Sequence, residues 1–410
     1  MGGLKTRFQT PWQATELLSN KGVLSMDLYE VETKYGAGVY AKQQLSIVRG
    51  WGASLFDMDG NEYLDCTSGH GVANLGHAHP KVAAAIAEQA STLITLFETY
   101  PNDKRAAFTQ KMATLVPGLE RVFFCNSGTE AVEAALKFAR LSTDRTEIVA
   151  AMRAFHGRTF GSLSATFNKK YREGFEPLVP GFNHVPFNKI EPLEDAVTGE
   201  TAAVILEVVQ GEGGVYPADA EYIQAARRIC DESGALLIVD EIQSGFGRTG
   251  VMFAVQYFDV TPDLLCCAKS LAGGVPMGAV LIGEKVQNLT PGVHATTFGG
   301  NPLSCAAGLA ALNAIEEEDL AGQAAEKGAY LMDKLRQINS PLIREIRGMG
   351  LMVGIELKKK VTPYLKALQD RKVLALNAGM IVLRLLPPLV ISYEQIDHLV
   401  ETLTVVLTEE

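Results

Sequence analysis

The sequence has few cysteines and no long apolar run. Its 410 residues include six cysteines, none of them in a Cys-x-x-Cys pair, and most stand inside apolar segments. Cysteine behaves there as a small core residue, so we infer neither disulfide bonds nor a metal site. No apolar stretch approaches the roughly 20 residues of a transmembrane helix, and the N-terminus lacks the apolar core of a signal peptide. We therefore expect a cytoplasmic protein with no membrane partner.

Positive charge is also scarce. Lys and Arg number 37 against 47 Asp and Glu, which gives a formal net charge of −10. Nucleic-acid surfaces depend on clustered Lys and Arg, so we expect no nucleic-acid partner. A small basic cluster, Lys169, Lys170 and Arg172, is an exception to this balance. Such a cluster is more often a solvated face than a docking site.

The length and the pattern of apolar residues predict an α/β fold. A chain of this size, 47% hydrophobic, can bury a large core and form two domains. Apolar strand-like runs alternate with helical stretches through residues 80–285, which is typical of a mostly parallel sheet flanked by helices. Composition shifts after residue 316 towards a smaller α+β domain. The predicted domains are 76–316, the large domain, and 317–410, the small domain, with residues 1–75 as its N-terminal part.

Two buried strands are predicted to end at ionisable residues. The run from Leu236 to Val239 ends at Asp240, and the run from Leu264 to Ala268 ends at Lys269. Ligands bind at the carboxyl ends of strands in α/β proteins. A desolvated lysine can form a Schiff base, and an aspartate can keep a pyridine nitrogen protonated. A salt bridge or two solvated strand ends would be the simpler explanation for either residue alone.

The segment after the strand at Val122–Cys125 is a candidate anion site. Ser127, Gly128 and Thr129 lead directly into an alanine-rich helix, where free backbone N–H groups and the helix dipole favour a phosphate. An ordinary capped helix has the same pattern.

Further candidates come from local composition. Phe155 and His156 follow a strand and could stack on a flat ring, and Arg158 is a candidate fork for a carboxylate. Arg384 stands in an apolar run, where a charge is costly unless it is paired or meets a ligand. His77 and His79 form a His-x-His pair, but no further ligand is spaced near them, so we expect structural histidines rather than a metal site.

Together these motifs resemble the class III aminotransferases, the pyridoxal-phosphate (PLP) enzymes of fold type I. The likeness covers nearly the whole chain. The matching segments are Asn126 to Glu130, Phe155 to Thr159, Gln210 to Gly214, Asp240 to Gly245, Lys269 with its glycine loop, Thr296 to Pro302, and Arg384 before Pro387.

The resemblance implies a role for each matching residue around the cofactor. Lys269 would form the Schiff base with PLP and move the proton, Asp240 would pair with the pyridine nitrogen, and Gln243 with the phenolic oxygen. Phe155 would stack on the ring beside His156. Ser127, Gly128 and Thr129 would hold the phosphate, joined by Thr297 from the partner subunit, so the enzyme should be a homodimer.

The resemblance also implies how two dissimilar substrates share one site. Arg158 would bind the carboxylate remote from the reacting amine, with Tyr40 nearby. Arg384 would bind the α-carboxylate of glutamate, and Glu212 would cover Arg384 when the terminal-amine substrate is present. His70 stands where similar enzymes usually have an apolar residue or tyrosine, and it would change the polarity of the pocket.

Within the class the chain is similar to acetylornithine aminotransferases and to enzymes acting on lysine or ornithine attached to an acidic amino-group carrier protein. We expect transfer of the terminal amine of an N2-acylated ornithine or lysine to 2-oxoglutarate, in arginine or lysine biosynthesis. Lys169, Lys170 and Arg172 could meet the carrier. Alternatives are a free ω-amino acid donor such as ornithine or 4-aminobutyrate, a mutase or decarboxylase of the same fold, and a silent cofactor-binding module.

Overall fold

The computed structural model describes residues 27–408 and divides them into two compact units. Residues 27–49 with 56–61 form the first unit, and residues 50–55 with 62–408 form the second. The predicted N-terminal segment, residues 1–75, falls partly outside the described residues, since residues 1–26 are not among them. The predicted domain boundaries at residues 76 and 317 therefore stay a prediction.

Helices and strands alternate along most of the described chain. The helices are α1 Leu28–Tyr35, α2 Ser68–Gly71, α3 Pro80–Ala90, α4 Asp103–Ala113, α5 Gly128–Thr143, α6 Phe160–Ala165, α7 Lys169–Arg172, α8 Ile190–Ala196, α9 Ala220–Ser233, α10 Pro302–Glu317, α11 Leu320–Arg336, α12 Thr362–Asp370 and α13 Tyr393–Thr408. The strands are β1 Ile47–Trp51, β2 Ser54–Asp57, β3 Glu62–Asp65, β4 Arg121–Cys125, β5 Glu147–Ala151, β6 Phe182–Val185, β7 Thr201–Glu207, β8 Val209–Gln210, β9 Tyr216–Pro217, β10 Leu236–Asp240, β11 Leu264–Cys267, β12 Gly278–Ile282, β13 Ile343–Met349, β14 Met352–Leu357, β15 Val373–Leu374, β16 Leu376–Ala378 and β17 Val382–Leu385.

A seven-stranded sheet in the order β4-β12-β11-β10-β7-β5-β6 forms the centre of the second unit. The β10 strand pairs in parallel with β7 and β11, and all residues of these three strands are buried. Continuous apolar runs are typical of parallel strands covered on both faces. The predicted mostly parallel sheet is confirmed, and β12 is the antiparallel member, since it pairs antiparallel with both β11 and β4.

Helices cover both faces of this sheet. Ile238 of β10 packs in one cluster with Ala135 of α5, while the next residue, Val239, packs in a second cluster with Ile229 of α9. Successive side chains of a strand point to opposite faces, so this alternation places α5 and α9 on opposite sides. Every parallel strand therefore ends at the same edge, between two layers of helix.

A smaller antiparallel sheet, in the order β13-β14-β17-β16, carries Arg384 on β17. The apolar run at residues 373–376 has the length of a single strand. The structure contains two strands there instead, since β15 pairs in parallel with β3 whereas β16 pairs with β17. The intervening Ala375 breaks the pairing, so one short apolar run serves two sheets.

The cysteines form no disulfide bonds among residues 27–408, and His77 and His79 contact different carboxylates. The six cysteines are free and buried. His77 Nε2 lies 2.7 Å from Asp65 Oδ2, and His79 contacts Glu318. Among residues 27–408, no cluster of three or more His, Cys, Asp or Glu side chains is arranged to hold a metal ion. Within the same residues, no helix combines the length and apolarity that crossing a bilayer requires.

Candidate active site

A cavity of about 450 Å³ opens at the carboxyl ends of the parallel strands. The β10 strand ends there at Asp240, and Lys269 follows β11 two residues after its end. Ten of the predicted site residues line this cavity: Ser127, Gly128, Thr129, Phe155, His156, Arg158, Glu212, Asp240, Gln243 and Lys269. The fold thus brings together residues separated by more than a hundred positions in the chain.

The Asp240 carboxylate is fixed by two hydrogen bonds. Its Oδ1 accepts the backbone N–H of Ile242 at 3.0 Å, and its Oδ2 lies 2.8 Å from Nδ1 of the fully buried His156 ring. Burial alone lowers the pKa of His156, but the hydrogen bond and negative charge of Asp240 outweigh it and raise the pKa. His156 is therefore a positioning residue that donates a proton towards Asp240 and keeps that carboxylate in place.

The Lys269 side chain forms part of the cavity wall. Burial lowers the pKa of its amine to about 8, and the negative charge of Glu212 opposes this shift. At pH 7 about a tenth of such amines are neutral, against about one in 2,500 at the reference pKa. Lys269 also has a φ of +45°, in the left-handed region. A residue other than glycine is strained there and keeps this conformation only when its surroundings enforce it. The site thus holds a lysine prepared to act as a base or nucleophile.

Glu207, at the end of β7, is a buried carboxyl that the sequence did not assign to the site. Its oxygens accept the backbone N–H groups of Phe155 at 3.0 Å and Gly211 at 3.2 Å. Burial raises the pKa of Glu207 to about 7, with His156 opposing the shift and Asp240 adding to it. Glu207 therefore ties the Phe155 loop to the loop that carries Glu212. The sequence does contain a signal for Glu207, because this residue, like Asp240, stands at the end of a buried apolar strand.

The N-terminus of α5, where an anion site is predicted, lines the cavity. Ser127 caps the helix, since its hydroxyl accepts the N–H of Glu130 at 3.3 Å. The first N–H groups of an α-helix have no acceptor within the helix, so those at Gly128 and Thr129 are available to a bound anion. Gly128 packs closely, because a Cβ there would lie 2.9 Å from the end of the Ile242 side chain and would make that side chain shift. The Thr129 hydroxyl bonds to Ser162 at 2.6 Å, which joins α5 to α6.

Arg158 stands at the rim of the cavity and is exposed. Its guanidinium lies 4.1 Å from the centre of the Tyr171 ring and 5.6 Å from that of Phe155. The rings of Phe155 and Tyr171 pack edge to face at 5.5 Å. Stacking on aromatic faces restricts a guanidinium while leaving its N–H fork free for a carboxylate. Sequence reasoning missed Tyr171, although it stands inside the basic cluster Lys169 to Arg172.

Arg384 is fully buried and pairs with Glu212. Its Nη1 donates to Glu212 Oε1 at 2.6 Å and to Gln243 Oε1 at 3.1 Å. His70 Nε2 completes the group, 3.0 Å from Glu212 Oε1 and 3.2 Å from Arg384 Nη2. Burial raises the pKa of Glu212, but the hydrogen bond from His70 and the charge of Arg384 hold it well below its usual range. Glu212 is therefore an anion that neutralises Arg384.

Four predicted residues are not among those that line the cavity: Arg384 and His70, which contact the lining residue Glu212, and Thr297 and Tyr40. Thr297 is exposed on the loop before α10, as a residue expected to serve a partner subunit should be. Tyr40 belongs to the first unit, where its ring is 81% exposed. Their roles stay predictions.

The residues of the cavity fit PLP. Its volume lies within the range of about 300–1,000 Å³ that is typical of cofactor sites. It combines a carboxylate for a pyridinium nitrogen, a helix N-terminus for a phosphate and an amine of lowered pKa for an aldehyde. Asp240, α5 and Lys269 supply these three groups from separate elements of one sheet edge. Phe155 adds an aromatic side chain to the same wall.

Comparison with known proteins gives matches along nearly the whole chain. Residues 36–407 match the family Aminotransferase class-III. A [LysW]-aminoadipate semialdehyde transaminase of Deinococcus radiodurans is 54% identical over 374 residues, 90% of this chain and 87% of the relative. An acetylornithine aminotransferase of Methanocaldococcus jannaschii is 45% identical over 93% of this chain and 98% of the relative. Among solved structures, the ornithine aminotransferase of Toxoplasma gondii ME49 has a TM-score of 0.91 at 33% identity, covering 97% of this chain and 98% of that one.

Proposed function

Because this chain belongs to the class-III aminotransferases, we propose that it transfers the terminal amino group of an N2-acylated ornithine or lysine to 2-oxoglutarate. The products are the corresponding semialdehyde and glutamate. The observation that carries the proposal is the pairing of a buried Arg384 with Glu212, which lines the same cavity as Arg158 and Lys269. Two carboxylate forks, one of them masked, suit an enzyme that alternates between two unlike substrates.

PLP bound in the cavity supplies an electron sink for negative charge on the substrate carbon. Lys269 takes the proton from that carbon and returns it, which a lysine of pKa about 8 can do near neutral pH. Asp240, held by His156, would pair with the pyridine nitrogen. The N-terminus of α5 would hold the phosphate, and Gln243 would pair with the phenolic oxygen of the ring.

Arg158 orients the donor by its remote carboxylate, and Tyr171 keeps the guanidinium against the cavity wall. A terminal amine brings no carboxylate to the opposite end, so Arg384 needs Glu212 there. Leaving one member of a buried ion pair without its partner costs about 3–5 kcal/mol. 2-Oxoglutarate brings its own carboxylate to Arg384 and displaces Glu212. The same pocket thereby accepts both substrates without an uncompensated buried charge.

The choice of acyl group is tested by comparing donors. The 54% identical relative is named for a LysW substrate and the 45% identical one for acetylornithine. We expect kcat/KM, with 2-oxoglutarate as acceptor, to be at least about tenfold higher for N2-acetylornithine or carrier-linked lysine than for free ornithine or 4-aminobutyrate. A higher value for a free ω-amino acid would contradict the proposal and favour the alternative donors. A carrier-linked donor would place the enzyme in lysine synthesis, and acetylornithine would place it in arginine synthesis.

The basic cluster on α7 supports a carrier-linked donor. Lys169 and Lys170 are exposed in the same turn as Tyr171, which packs on Arg158. An acidic carrier arriving with its lysine at Arg158 would therefore meet these two ammonium groups. The double change Lys169→Glu and Lys170→Glu should lower kcat/KM for the carrier-linked donor about tenfold at low salt, mainly through KM, because opposite charges speed association.

The matched control for this change uses the exposed Lys359 and Lys360, whose replacement by Glu alters net charge equally. Neither double variant should change kcat/KM for N2-acetylornithine. Equal losses in both double variants would mean that net charge, rather than α7, guides the carrier.

A homodimer is proposed from an exposed apolar surface. Four apolar side chains, each more than half exposed, contribute to this surface from two segments: Ile94, Phe97, Tyr100 and Phe298. The segments form one surface because Arg105 donates to the carbonyls of Leu96, Tyr100 and Gly300 at 2.6–3.0 Å. Contiguous exposed apolar patches mark interaction sites. A second copy that covers this surface would bring Thr297 to the phosphate end of the neighbouring cavity.

Sedimentation velocity tests this assembly. The unsubstituted protein should sediment as a dimer at micromolar concentration, and Phe97→Asp with Phe298→Asp should shift it to monomer, because two buried carboxylates would be unpaired. Met380→Asp changes an equally exposed apolar side chain outside this surface and should leave the dimer intact. A fully active monomer would contradict the shared active site.

A further inference from the structure

His70 lies on a backbone turn that the fold holds in an unfavourable conformation. All four residues of α2 have positive φ: +47° at Ser68, +56° at Gly69, +74° at His70 and +80° at Gly71. The left-handed conformation costs about 1–2 kcal/mol for each residue that is not glycine. Strained residues of this kind cluster at functional sites. The left-handed conformation of His70 therefore needs a structural or functional explanation.

Hydrogen bonds from two other parts of the chain fix the start of this turn. Asp65 Oδ1 accepts the N–H groups of Thr67 and Ser68 at 2.8 and 3.2 Å. The buried Ser68 hydroxyl donates to the carbonyl of Leu386 at 2.6 Å. Leu386 comes two residues after Arg384, so the turn is anchored to the strand that carries the buried guanidinium. This anchoring delivers the His70 ring to the Arg384–Glu212 pair.

The Nε2 atom of His70 faces one hydrogen-bond acceptor and one hydrogen-bond donor. Nε2 lies 3.0 Å from Glu212 Oε1, which accepts, and 3.2 Å from Arg384 Nη2, which donates. A ring nitrogen either carries a proton and donates or has a lone pair and accepts. If Nε2 donates to Glu212, its N–H opposes that of Arg384. If it accepts from Arg384, its lone pair opposes the carboxylate. One contact of His70 is therefore unfavourable for as long as the pair stays closed.

We propose that His70 is a positioning residue that holds Glu212 when a dicarboxylate occupies Arg384. This inference rests on the proposed function, in which 2-oxoglutarate and glutamate use Arg384. Once Glu212 leaves the guanidinium, Nε2–H of His70 donates to it and no longer opposes Arg384. Glu212 needs such a partner, because a buried carboxylate that loses its cation is costly. Arg384 in turn keeps Gln243 and gains the carboxylate of the substrate.

The environment of both side chains is consistent with this exchange. The pKa of Glu212 is held well below its usual range, because His70 and Arg384 together outweigh the effect of burial. Glu212 therefore remains an anion and a hydrogen-bond acceptor. The His70 side chain is 54% exposed, whereas that of Glu212 is 16% exposed. The ring therefore stands on the outer side of the pair, where it can accompany Glu212 away from Arg384 without unpacking the core.

Two isosteric substitutions test the inference. His70→Gln keeps a donor for Glu212, whereas His70→Met has the same length and no donor. Both place a Cβ at the same positive φ, so their backbone cost is matched. The ligand is glutarate, which has the carbon chain and two carboxylates of 2-oxoglutarate but no carbonyl to react. Pentanoate, with one carboxylate, is the ligand that does not need Arg384. Calorimetric titration of the PLP-loaded enzyme gives the dissociation constants without turnover.

We expect His70→Met to weaken glutarate about tenfold and to leave pentanoate within about twofold, because one charge-assisted hydrogen bond is lost only in the open state. His70→Gln should bind both ligands within about threefold of the unsubstituted enzyme. In single turnovers, His70→Met should raise the half-saturating concentration of 2-oxoglutarate but not that of the terminal-amine donor. The inference is overturned if His70→Met binds glutarate normally, if His70→Gln loses as much as His70→Met, or if both ligands weaken equally.

Arg384→Met separates this inference from the function on which it rests. If Arg384→Met retains glutarate affinity, the proposed carboxylate role of Arg384 fails, and the inference fails with it. If Arg384→Met loses glutarate while His70→Met binds it normally, only the role of His70 is refuted. Thermal unfolding of each variant shows that the comparison is made on folded protein.

Discussion

Replacing Lys269 by alanine is expected to lower kcat/KM by about 10⁴-fold or more. General acid–base catalysis by a positioned side chain contributes about 10²–10⁴-fold, and Lys269 is also the nucleophile expected to hold the cofactor. Its position follows from β11, and its amine, of pKa about 8, lines the cavity beside Glu212 and Asp240. Steady-state kinetics with 2-oxoglutarate as acceptor measure the loss. The absorption spectrum shows whether PLP remains bound through Asp240 and the α5 N-terminus.

Two controls distinguish lost chemistry from lost structure. Lys285→Ala removes an exposed lysine at the opposite end of the sheet, where it pairs with Asp231, and should leave kcat/KM within about twofold. A small amine such as methylamine, added to Lys269→Ala, should restore part of the rate, because it can carry the proton from the vacated position. Appreciable turnover in Lys269→Ala without added amine would refute the assignment.

Much of the fold and part of the site could be predicted because the necessary pattern is local. The apolar runs before Asp240 and Lys269 are short and uninterrupted, as interior parallel strands require, and both are buried strands in the structure. Pairing of Asp240 with Cys266 in the register then sets Lys269 near it. The match to a solved aminotransferase confirms the predicted fold type I.

Other features could not be predicted because they depend on contacts between distant parts of the chain. His70 meets Glu212 and Arg384 across sequence separations of 142 and 314 residues, whereas the Glu212–Arg384 contact, 172 residues apart, was expected only from the resemblance. Gly69 and Gly71 permit a left-handed turn, but nothing near His70 in the sequence indicates that this turn is anchored through Leu386. Tyr171 stands inside the basic cluster and was not assigned to the site, although its ring packs on Phe155 and Arg158. Helical spacing gives no information on such partners.

The antiparallel strand β12 illustrates the same limit. Residues Gly278–Ile282 are as apolar as the neighbouring parallel strands, so composition does not reveal their direction. Direction is set by the short connection from β11, which is too brief for the crossover helix that a parallel neighbour needs. Lys269 and the glycine loop occupy that connection. The topology that turns the chain back therefore also places Lys269 at the edge of the sheet.

Replacing Asp240 by asparagine should lower kcat by about 10²–10³-fold, the range seen when one preorganised electrostatic contact is removed. Asparagine keeps the shape of Asp240 and can still accept from Ile242 N–H, but it lacks the charge that holds a pyridine nitrogen protonated.

Asp263→Asn is the matched control for this substitution. Asp263 is a buried carboxylate at the opposite end of the same strands, where it accepts from Arg227 and from the N–H of Leu237. Its loss should lower the melting temperature while leaving kcat of the folded enzyme within about threefold. A similar kcat for both variants would refute the role of Asp240.

The same Asp240→Asn variant should also reveal the coupling to His156 through the pH dependence of stability. Burial lowers the pKa of His156, and Asp240 reverses this and raises it in the folded state. A group whose folded pKa is raised contributes stability that is complete below its unfolded value of about 6.5 and is lost as pH rises through the folded value. Without the charge of Asp240, burial disfavours the His156 cation, so the variant loses this contribution. The difference in unfolding free energy between the natural protein and Asp240→Asn should therefore be largest below about pH 6.5 and shrink above it. Denaturant titrations at pH 5.5, 7 and 8.5 measure the difference, and a gap that is constant or grows with pH would show that His156 does not depend on Asp240 for its charge.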